Sequence, residues 1–260
     1  MRSLWSAWPA IRKALAGNNL ILFLDFDGTL APIVDRPADA RIPAAAMSAL
    51  VQLAQSPRVA LGIVSGRGLR RLRRLVRLKG IHWIGSHGWE WSLPDDVHRS
   101  HATPQESRLI HAAAAELRRA LRGLPRIRIK RKAVSVVVHF RGAPLAQARA
   151  ARQRVLQVAR RHSSRLRVLA GKKVLELLPV GANNKGTAVA AAVARIRRRR
   201  HFPVLIFAGD DRTDETVFAR MGRRDISIHV GRRVRSRAKF FLRSPRQVCR
   251  FLLQLCIMVR

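Results

Sequence analysis

The sequence of 260 residues is poor in acidic residues, has no tyrosine and contains two cysteines. Cys249 and Cys256 are seven residues apart on an expected C-terminal helix, which separates them by about 10 Å along its axis. That is too far for a disulfide between them, so we expect reduced thiols and a cytoplasmic location. No apolar run reaches transmembrane length, and the segment 1–17, broken by a proline and basic residues, makes a poor signal peptide.

The 15 acidic residues stand against 52 Lys and Arg, which gives a formal net charge of +37. Such a charge suits an acidic partner, either nucleic acid or an anionic membrane. The arginines, however, occur along nearly the whole chain, and RNA-reading patterns with interleaved aromatics are absent. We therefore expect no specific nucleic acid and no membrane partner. The sequence leaves the oligomeric state open, with a monomer favoured.

Six of the fifteen acids lie in two short stretches, and the first stretch follows an expected buried strand. The apolar run 20–24 ends at Asp25, Asp27 and Thr29. Ligands of open α/β sheets bind beyond the carboxyl ends of the strands. Two carboxylates one residue apart can share a cation, one of them can attack an electrophile, and Thr29 can donate to an anion. The alternative is a strand that ends in a polar turn.

Three later stretches bring further polar residues to the same edge of the expected sheet. A divalent cation needs several oxygen ligands, and a lysine with backbone N–H groups neutralises phosphate oxygens. A carboxylate nucleophile with a second carboxylate as proton shuttle completes a phosphoryl-transfer site. The residues that we expect at this edge are Asp25, Asp27, Ser65, Arg67, Lys185, Asp210, Asp211 and Asp214.

The pattern of apolar runs predicts an α/β fold with an insertion. Residues 1–92 and 181–260 alternate apolar strand runs with helical periodicity, as in a catalytic core of parallel strands and helices. Residues 93–180 follow the order helix–strand–strand twice, which predicts an inserted α+β domain with its own small sheet.

The motifs, in their order, resemble those of the haloacid dehalogenase superfamily of aspartate-nucleophile phosphatases. Within it, the chain resembles the trehalose-6-phosphate phosphatase family over nearly its whole length. Phe140 stands where that family commonly has tyrosine. The matching segments are D-F-D-G-T at 25–29, S-G-R at 65–67, G-x-H-G-x-E at 85–90, K-x-x-S-x-x-x-H-F-R at 132–141, E-L-x-P at 176–179, N-K-G at 184–186 and G-D-D-x-T-D-E at 209–215.

The resemblance implies a Rossmann-like core, a mobile inserted cap, dependence on Mg2+ and hydrolysis of trehalose 6-phosphate through an aspartyl-phosphate. By position, Asp25 resembles the nucleophile. Asp27 resembles the general acid/base, whose backbone carbonyl also ligates the metal, and Asp210 resembles the third metal ligand. The other implied roles are water-mediated metal ligation by Asp211 and Asp214, phosphate binding by Thr29, Ser65, Gly66 and the catalytic Lys185, and substrate binding by Arg67, His87, Glu90, Arg141, Lys172, Glu176 and Asn184.

Several alternatives remain open at this stage. The same mechanism could serve another sugar phosphate, such as a sucrose or glucosylglycerol phosphate. A basic nucleic-acid-binding protein with a decayed hydrolase core is a third hypothesis, which the intact motif carboxylates and Lys185 oppose. Arg141 could be one more surface arginine, Glu176 could pair at a strand end, and His87 could bond within a glycine-rich turn.

Overall fold

A computed structural model describes residues 1–94, 99–100, 103–132, 134–171, 173–181, 184–199, 201–232 and 235–259. The chain divides into two compact units. The first, Met1–Ser100 with Asn183–Arg260, is called the core unit, and the second, His101–Ala182, is called the insertion. The sequence analysis placed the insertion at residues 93–180.

The elements alternate between strands and helices in the core unit and follow the order helix–strand–strand twice in the insertion. The core unit begins with β1 (Arg2–Ser3), a 3-10 turn (Trp5–Ala7), α1 (Trp8–Leu15), β2 (Leu20–Asp25), α2 (Ala44–Gln55), β3 (Val59–Val64), α3 (Leu69–Val76), β4 (His82–Gly85), a 3-10 turn (Ser86–Gly88), β5 (Glu90–Ser92) and β6 (Arg99–Ser100). The insertion contains α4 (Pro104–Ala120), β7 (Arg128–Arg131), β8 (Val136–His139), α5 (Leu145–Arg161), β9 (Leu166–Gly171) and β10 (Val174–Pro179). The core unit resumes with α6 (Lys185–Arg199), β11 (Val204–Gly209), α7 (Glu215–Phe218), β12 (Ile226–Val230), β13 (Phe240–Leu242) and α8 (Pro245–Met258).

The core unit is built on one sheet with the strand order β1-β13-β12-β11-β2-β3-β4-β5-β6. Along this order, every neighbouring pair of strands from β1 to β4 is parallel. The last two pairs, β4–β5 and β5–β6, are antiparallel. Leu24 of β2 lies opposite Ala208 of β11 and Ile63 of β3. The carboxyl ends of these three strands therefore meet at one edge of the sheet, as the predicted α/β fold requires.

Strand β2 is buried on both faces, as its continuous apolar run predicts. Leu20, Leu22 and Leu24 face a core that also receives α1, α2, α3 and α8. Ile21 and Phe23 point the other way, into a core with α6. The alternation of successive side chains explains this division, because a strand sends neighbouring residues to opposite faces.

The insertion has its own antiparallel sheet, with the strand order β7-β8-β10-β9. Helices α4 and α5 bury their apolar sides against β8 and β10 in a separate hydrophobic core. Thr103 and Glu106 form a capping box at the start of α4, in which each side chain accepts from the other residue's backbone N–H. The predicted α+β organisation of this part is confirmed.

Short elements are where the sequence prediction was weakest. The short strands β1 and β13 were not predicted, because two or three residues give no usable periodicity. The sequence pattern predicts a helix at 213–220, whereas the structure has only the single turn Glu215–Phe218. Among the residues that the structure describes, no helix is long and apolar enough to cross a membrane.

The packing of β2 predicts a large cost for a truncation at its centre. Leu22 is fully buried, so Leu22→Ala should lower the free energy of unfolding by about 2–5 kcal/mol through lost burial and a cavity. Ile33→Ala, at a side chain that is 69% exposed, should change it by less than about 0.5 kcal/mol. Urea denaturation measures both, and equal effects would contradict this description of the core.

Candidate active site

A buried ion pair joins the end of β2 to the start of α6. The Lys185 ammonium donates to Asp25 Oδ1 at 2.6 Å and to Asp214 Oδ1 at 2.9 Å. The side chains of all three residues are at most 4% exposed. Residues from β2, α6 and the turn before α7 thus meet at the carboxyl edge of the parallel sheet, where the sequence predicted them.

Carboxylate oxygens of Asp25, Asp210 and Asp214 lie within 4.8 Å of one another. Burial raises the pKa of Asp25 well above its usual range, although the Lys185 charge acts in the opposite direction. Burial and the nearby Asp214 raise the pKa of Asp210 to about 7. Burial also raises the pKa of Asp214 to about 6, against the lowering effect of Lys185. With one lysine beside three buried carboxyl groups, ionisation of all three at once is unfavourable.

This arrangement fits a divalent cation. Three clustered carboxylates supply the hard oxygen ligands that Mg2+ and similar ions prefer. Their raised pKa values indicate that ionising all three together is costly without further positive charge. Burial alone lowers the pKa of Lys185, but Asp214 and Asp25 raise it well above its usual range, so this ammonium stays charged.

A tight turn after β2 brings the first motif against Asp210. Gly28 has a φ of +84°, and a Cβ atom built there would lie 2.1 Å from Asp210 Oδ2. The position therefore needs both the left-handed backbone and the missing side chain of glycine. The Gly28 N–H donates to Ala31 O at 2.8 Å and closes the turn.

Asp214 and Asp211 organise the turn that carries Asp210. Asp214 Oδ2 accepts from the backbone N–H groups of Asp210 and Asp211, at 3.0 and 3.1 Å. Asp211 Oδ1 accepts from the N–H and hydroxyl of Thr213, and lies 3.8 Å from Lys185 Nζ. Burial tends to raise the pKa of Asp211, but Lys185 and the Thr213 hydrogen bonds lower it to about 2.

Arg67 forms a two-pronged ion pair with Asp27. Its Nε donates to Asp27 Oδ2 at 2.7 Å and its Nη2 to Asp27 Oδ1 at 2.5 Å. Nη1 donates to Pro37 O, and the guanidinium lies 5.1 Å from the centre of the Phe26 ring. The sequence assigned Arg67 to the substrate, whereas its contacts here are with Asp27 and the loop after β2.

The residues predicted to bind phosphate, Thr29, Ser65 and Gly66, lie within two positions of Asp27 or Arg67 in the sequence. Thr29 is fully buried, and its hydroxyl has no hydrogen-bond partner within the described ranges. Ser65 is buried at the end of β3, and its Oγ accepts from the Arg67 N–H at 3.1 Å. This bond leaves the Ser65 hydroxyl proton available to an acceptor. A Cβ at Gly66 would lie 2.4 Å from the His87 ring, so a side chain there would require that ring to move.

Three residues predicted to contact substrate support the backbone around this edge. His87 lies in the turn 86–88, where all three φ angles are positive, and its N–H donates to Ser65 O. Glu90 Oε2 accepts from Leu69 N–H and the Ser86 hydroxyl, at the start of α3. Asn184 Oδ1 accepts from Thr187 N–H at 3.0 Å and so fixes the first turn of α6, where Lys185 lies.

The remaining candidates belong to the insertion. Glu176 lies inside β10, is 8% exposed, and accepts from Lys132 Nζ at 3.0 Å and Ser135 Oγ at 2.5 Å. This is the strand-pairing alternative that the sequence left open. Arg141 is exposed in the turn after β8, and Lys172 lies outside the described residues.

Thr216 is a contributor that the sequence reasoning missed. Its hydroxyl accepts from Gly186 N–H at 3.0 Å and donates to Thr213 O at 2.7 Å. It therefore ties the start of α6 to the turn that holds Asp214. A threonine directly after the G-D-D-x-T-D-E segment was visible in the sequence, but nothing there indicated which backbone group it would contact.

Comparison with known proteins gives consistent family matches. The family model described as trehalose-phosphatase matches residues 23–246. A curated trehalose-phosphate phosphatase from Mycobacterium marinum is 37% identical over 242 residues, which cover 88% of this chain and 60% of that protein. A Mycobacterium tuberculosis protein described as an uncharacterized glycosyl hydrolase is 37% identical over 259 residues, 95% of this chain and 19% of that protein.

Among solved structures, the C-terminal domain of Candida albicans trehalose-6-phosphate phosphatase has the same fold, with a TM-score of 0.82, 22% identity and coverage of 95% and 96% of the two chains. A trehalose-6-phosphate phosphatase related protein gives a TM-score of 0.73 at 26% identity, with 92% and 97% coverage. The chain thus spans about 60% of the curated phosphatase from M. marinum and a fifth of the longer protein.

The close approach of Gly28 to Asp210 can be tested against a glycine with the same backbone constraint. Gly17 has a φ of +74° and nothing within 4 Å of a built Cβ. Both Gly17→Ala and Gly28→Ala should lose roughly 1–2 kcal/mol because of the left-handed backbone. Gly28→Ala should lose about 1–3 kcal/mol more, because its methyl group displaces the Asp210 carboxylate. Equal losses in urea denaturation would disprove the close approach.

Proposed function

Because the chain belongs to the trehalose-phosphatase family, we propose that it hydrolyses trehalose 6-phosphate to trehalose and phosphate through an aspartyl-phosphate intermediate. The observation that carries the proposal is the buried group of Asp25, Lys185 and Asp214 with Asp210 beside it. A carboxylate at a strand end, next to a fixed cation, suits nucleophilic attack on a phosphate monoester.

In the first step, an Asp25 oxygen attacks phosphorus and the bond from phosphorus to the sugar oxygen breaks. The departing oxygen takes a proton from Asp27. Arg67 holds both oxygens of Asp27, so Asp27 must give up at least one of these hydrogen bonds when it carries that proton. Arg67 would thus orient Asp27 and exchange contacts during the reaction.

In the second step, water attacks phosphorus in the aspartyl-phosphate, and the bond from phosphorus to Asp25 breaks. Asp27 now accepts the proton from the water, so one residue serves as acid and then as base. Lys185 stays charged throughout and offsets the negative charge that moves between Asp25 and the phosphate oxygens. The Ser65 and Thr29 hydroxyls would donate to those oxygens.

Asp25 and Asp210 would hold Mg2+, together with the backbone carbonyl of Asp27. Asp214 would act by a water-mediated contact, since its oxygens already accept from Lys185 and from two backbone N–H groups. Asp211 would act in the same indirect way. When bound, the cation reduces the repulsion between the phosphate dianion and the carboxylates.

The sugar has to be recognised by groups other than these. The core-unit residues meet a phosphate monoester, which is common to many substrates, so they cannot select a disaccharide. Charged hydrogen-bonding residues read sugar hydroxyls well, because a carboxylate can accept from two neighbouring hydroxyls. We propose that Glu176, Arg141 and Lys172 of the insertion supply this selectivity.

The proposed reaction is tested by phosphate release from a panel of sugar phosphates in the presence of Mg2+. We expect trehalose 6-phosphate to be preferred over sucrose and glucosylglycerol phosphates. Asp25→Asn should lower kcat by at least about 10³-fold, because an amide keeps the shape but does not attack phosphorus. Activity on only another member of the panel would identify a different substrate. Activity on no member would contradict the proposed function.

Asp210→Asn is the matched control for the role of Asp25, because it also removes a cation ligand. Raising Mg2+ should restore part of the activity of Asp210→Asn and none of that of Asp25→Asn. Acid quenching of the wild-type reaction should trap phosphate on the peptide that contains Asp25. A phosphorylated peptide elsewhere, or none in a reacting enzyme, would contradict the covalent step.

Selectivity gives a separate prediction. Glu176→Gln should lower kcat/KM for trehalose 6-phosphate by about tenfold to a hundredfold, the roughly 1.5–3 kcal/mol of a charged hydrogen bond. Activity on p-nitrophenyl phosphate should change far less, because that ester has no hydroxyls. Glu116→Gln is the control, since Glu116 pairs with Arg161 and His162 in the same unit. Equal losses of kcat/KM on both substrates would indicate that Glu176 has a structural role only. Equal effects of Glu176→Gln and Glu116→Gln would indicate the same.

A further inference from the structure

The start of α6 is tied to the segment after β11 by two adjacent hydrogen bonds. The Lys185 ammonium donates to Asp214 Oδ1 at 2.9 Å, and the Gly186 N–H donates to the Thr216 hydroxyl at 3.0 Å. The first bond belongs to the candidate active site. The second holds the backbone one residue further along α6, and the steps proposed for the reaction make no use of it.

The Gly186 N–H needs an acceptor from outside its own helix. The first N–H groups of a helix have no partner within it, and Gly186 is buried in the first turn of α6. Asn184 precedes the helix, and its side chain accepts from the Thr187 N–H. The Thr216 hydroxyl therefore completes the helix start from a position 30 residues away in sequence.

The Thr216 hydroxyl is oriented for this contact by a second hydrogen bond. It donates its proton to Thr213 O at 2.7 Å. A hydroxyl that donates in one direction keeps its lone pairs for an N–H group in another. The bond to Thr213 therefore holds the oxygen as an acceptor for Gly186, and both of its partners are backbone groups.

The two backbones also come into contact at this point. A Cβ built on Gly186 would lie 2.0 Å from the Thr216 carbonyl oxygen, an approach that a residue without a side chain permits. This contact sets how closely α6 approaches α7. Because a hydrogen bond depends on its angle as well as its length, the hydroxyl bond also sets how the two segments are aligned.

We propose, on the basis of the proposed function, that Thr216 is a positioning residue for phosphoryl transfer and acts through Lys185. The lysine brings one ammonium within bonding distance of two carboxylates, Asp25 at 2.6 Å and Asp214 at 2.9 Å. A shift of about 1 Å in a catalytic geometry can lower a rate on the order of 100-fold. Without the Thr216 hydroxyl, the start of α6 loses the bond that aligns it with the Asp214 turn.

Phosphate release by Thr216 variants tests the proposal. Thr216→Val keeps the shape of the side chain and removes both hydrogen bonds, so kcat for trehalose 6-phosphate should fall at least about tenfold. Activity on p-nitrophenyl phosphate should fall by the same factor, because Lys185 acts on the phosphate that both substrates share. Thr216→Ser retains the hydroxyl and should keep kcat within about threefold of the wild-type value.

Ser236 offers a matched control at α7. Its hydroxyl also bonds in both directions, because it accepts from the Ala238 N–H at 3.0 Å and donates to Glu215 Oε1 at 2.5 Å. Neither bond reaches α6. Ser236→Ala and Thr216→Val should both lower the midpoint of urea denaturation, since each removes two hydrogen bonds. Ser236→Ala should nevertheless keep kcat within about twofold of the wild-type value.

The ¹⁵N NMR signal of the Lys185 ammonium gives a measurement that needs no turnover. An ammonium buried between two carboxylates exchanges its protons slowly, and Lys185→Met assigns its signal. We expect Thr216→Val to shift or broaden this signal, because the start of α6 is no longer aligned with Asp214. Thr216→Ser and Ser236→Ala should leave the signal in place.

The proposal fails if Thr216→Val keeps the wild-type kcat or leaves the Lys185 signal unchanged. It also fails if Ser236→Ala lowers kcat as much, because the loss would then follow from a weaker α7 alone. If Thr216→Val does not fold, Thr216→Ala takes its place in both measurements. A wild-type chain without phosphatase activity would contradict the proposed function, whereas an active wild type with an unaffected Thr216→Val would contradict only the role of Thr216.

Discussion

The contact of Lys185 with Asp25 and Asp214, almost closed to solvent, is the interaction on which the rest of the candidate site depends. Buried charges are tolerated when they are paired, and one ammonium here serves two carboxylates. Without it, Asp25 and Asp214 would lose the ammonium that both of them contact, and burial would favour their protonated forms more strongly. The lysine thus opposes the effect of burial on the pKa of Asp25 and ties the start of α6 to the end of β2.

The support around this contact comes mainly from backbone geometry. Asp214 binds two backbone N–H groups with one oxygen and Lys185 with the other, so it fixes the 209–214 turn and the lysine together. Asn184 and Thr216 fix the first turn of α6. Several of the few acidic residues of this basic chain therefore organise the site, whereas the arginines are spread over helices, strands and loops along nearly the whole chain.

Much of the fold and the site edge could be predicted because the signals were local. The apolar runs before Asp25, Ser65 and Asp210 predicted buried strands. Parallel topology alone brings the carboxyl ends of these strands together. Partner choice was not predictable in the same way. Arg67 could have contacted a substrate or Asp27, and only the fold, which places these residues side by side across 40 positions of sequence, selects the second contact.

The same limit applies to Glu176 and to α8. A carboxylate in a strand of the insertion gave no sign in the sequence that Lys132 and Ser135 would be its neighbours. The terminal helix was predicted over residues 246–259, but nothing in the sequence indicated that α2 would pack beside it. Periodicity predicts which elements form, whereas side-chain partners depend on elements distant in the sequence.

The central position of β2 has a consequence for folding. Its neighbour β11 follows about 180 residues later, and the Lys185–Asp25 bond joins residues 160 positions apart. Contacts this distant in sequence form slowly, because closing a long loop costs conformational entropy before the contact contributes any stabilisation. The insertion, whose own sheet pairs residues that are close in sequence, can fold during that delay. We therefore expect the site to form late in folding, because Asp25 acquires Lys185 and Asp214 as neighbours only when β2, α6 and the turn after β11 come together.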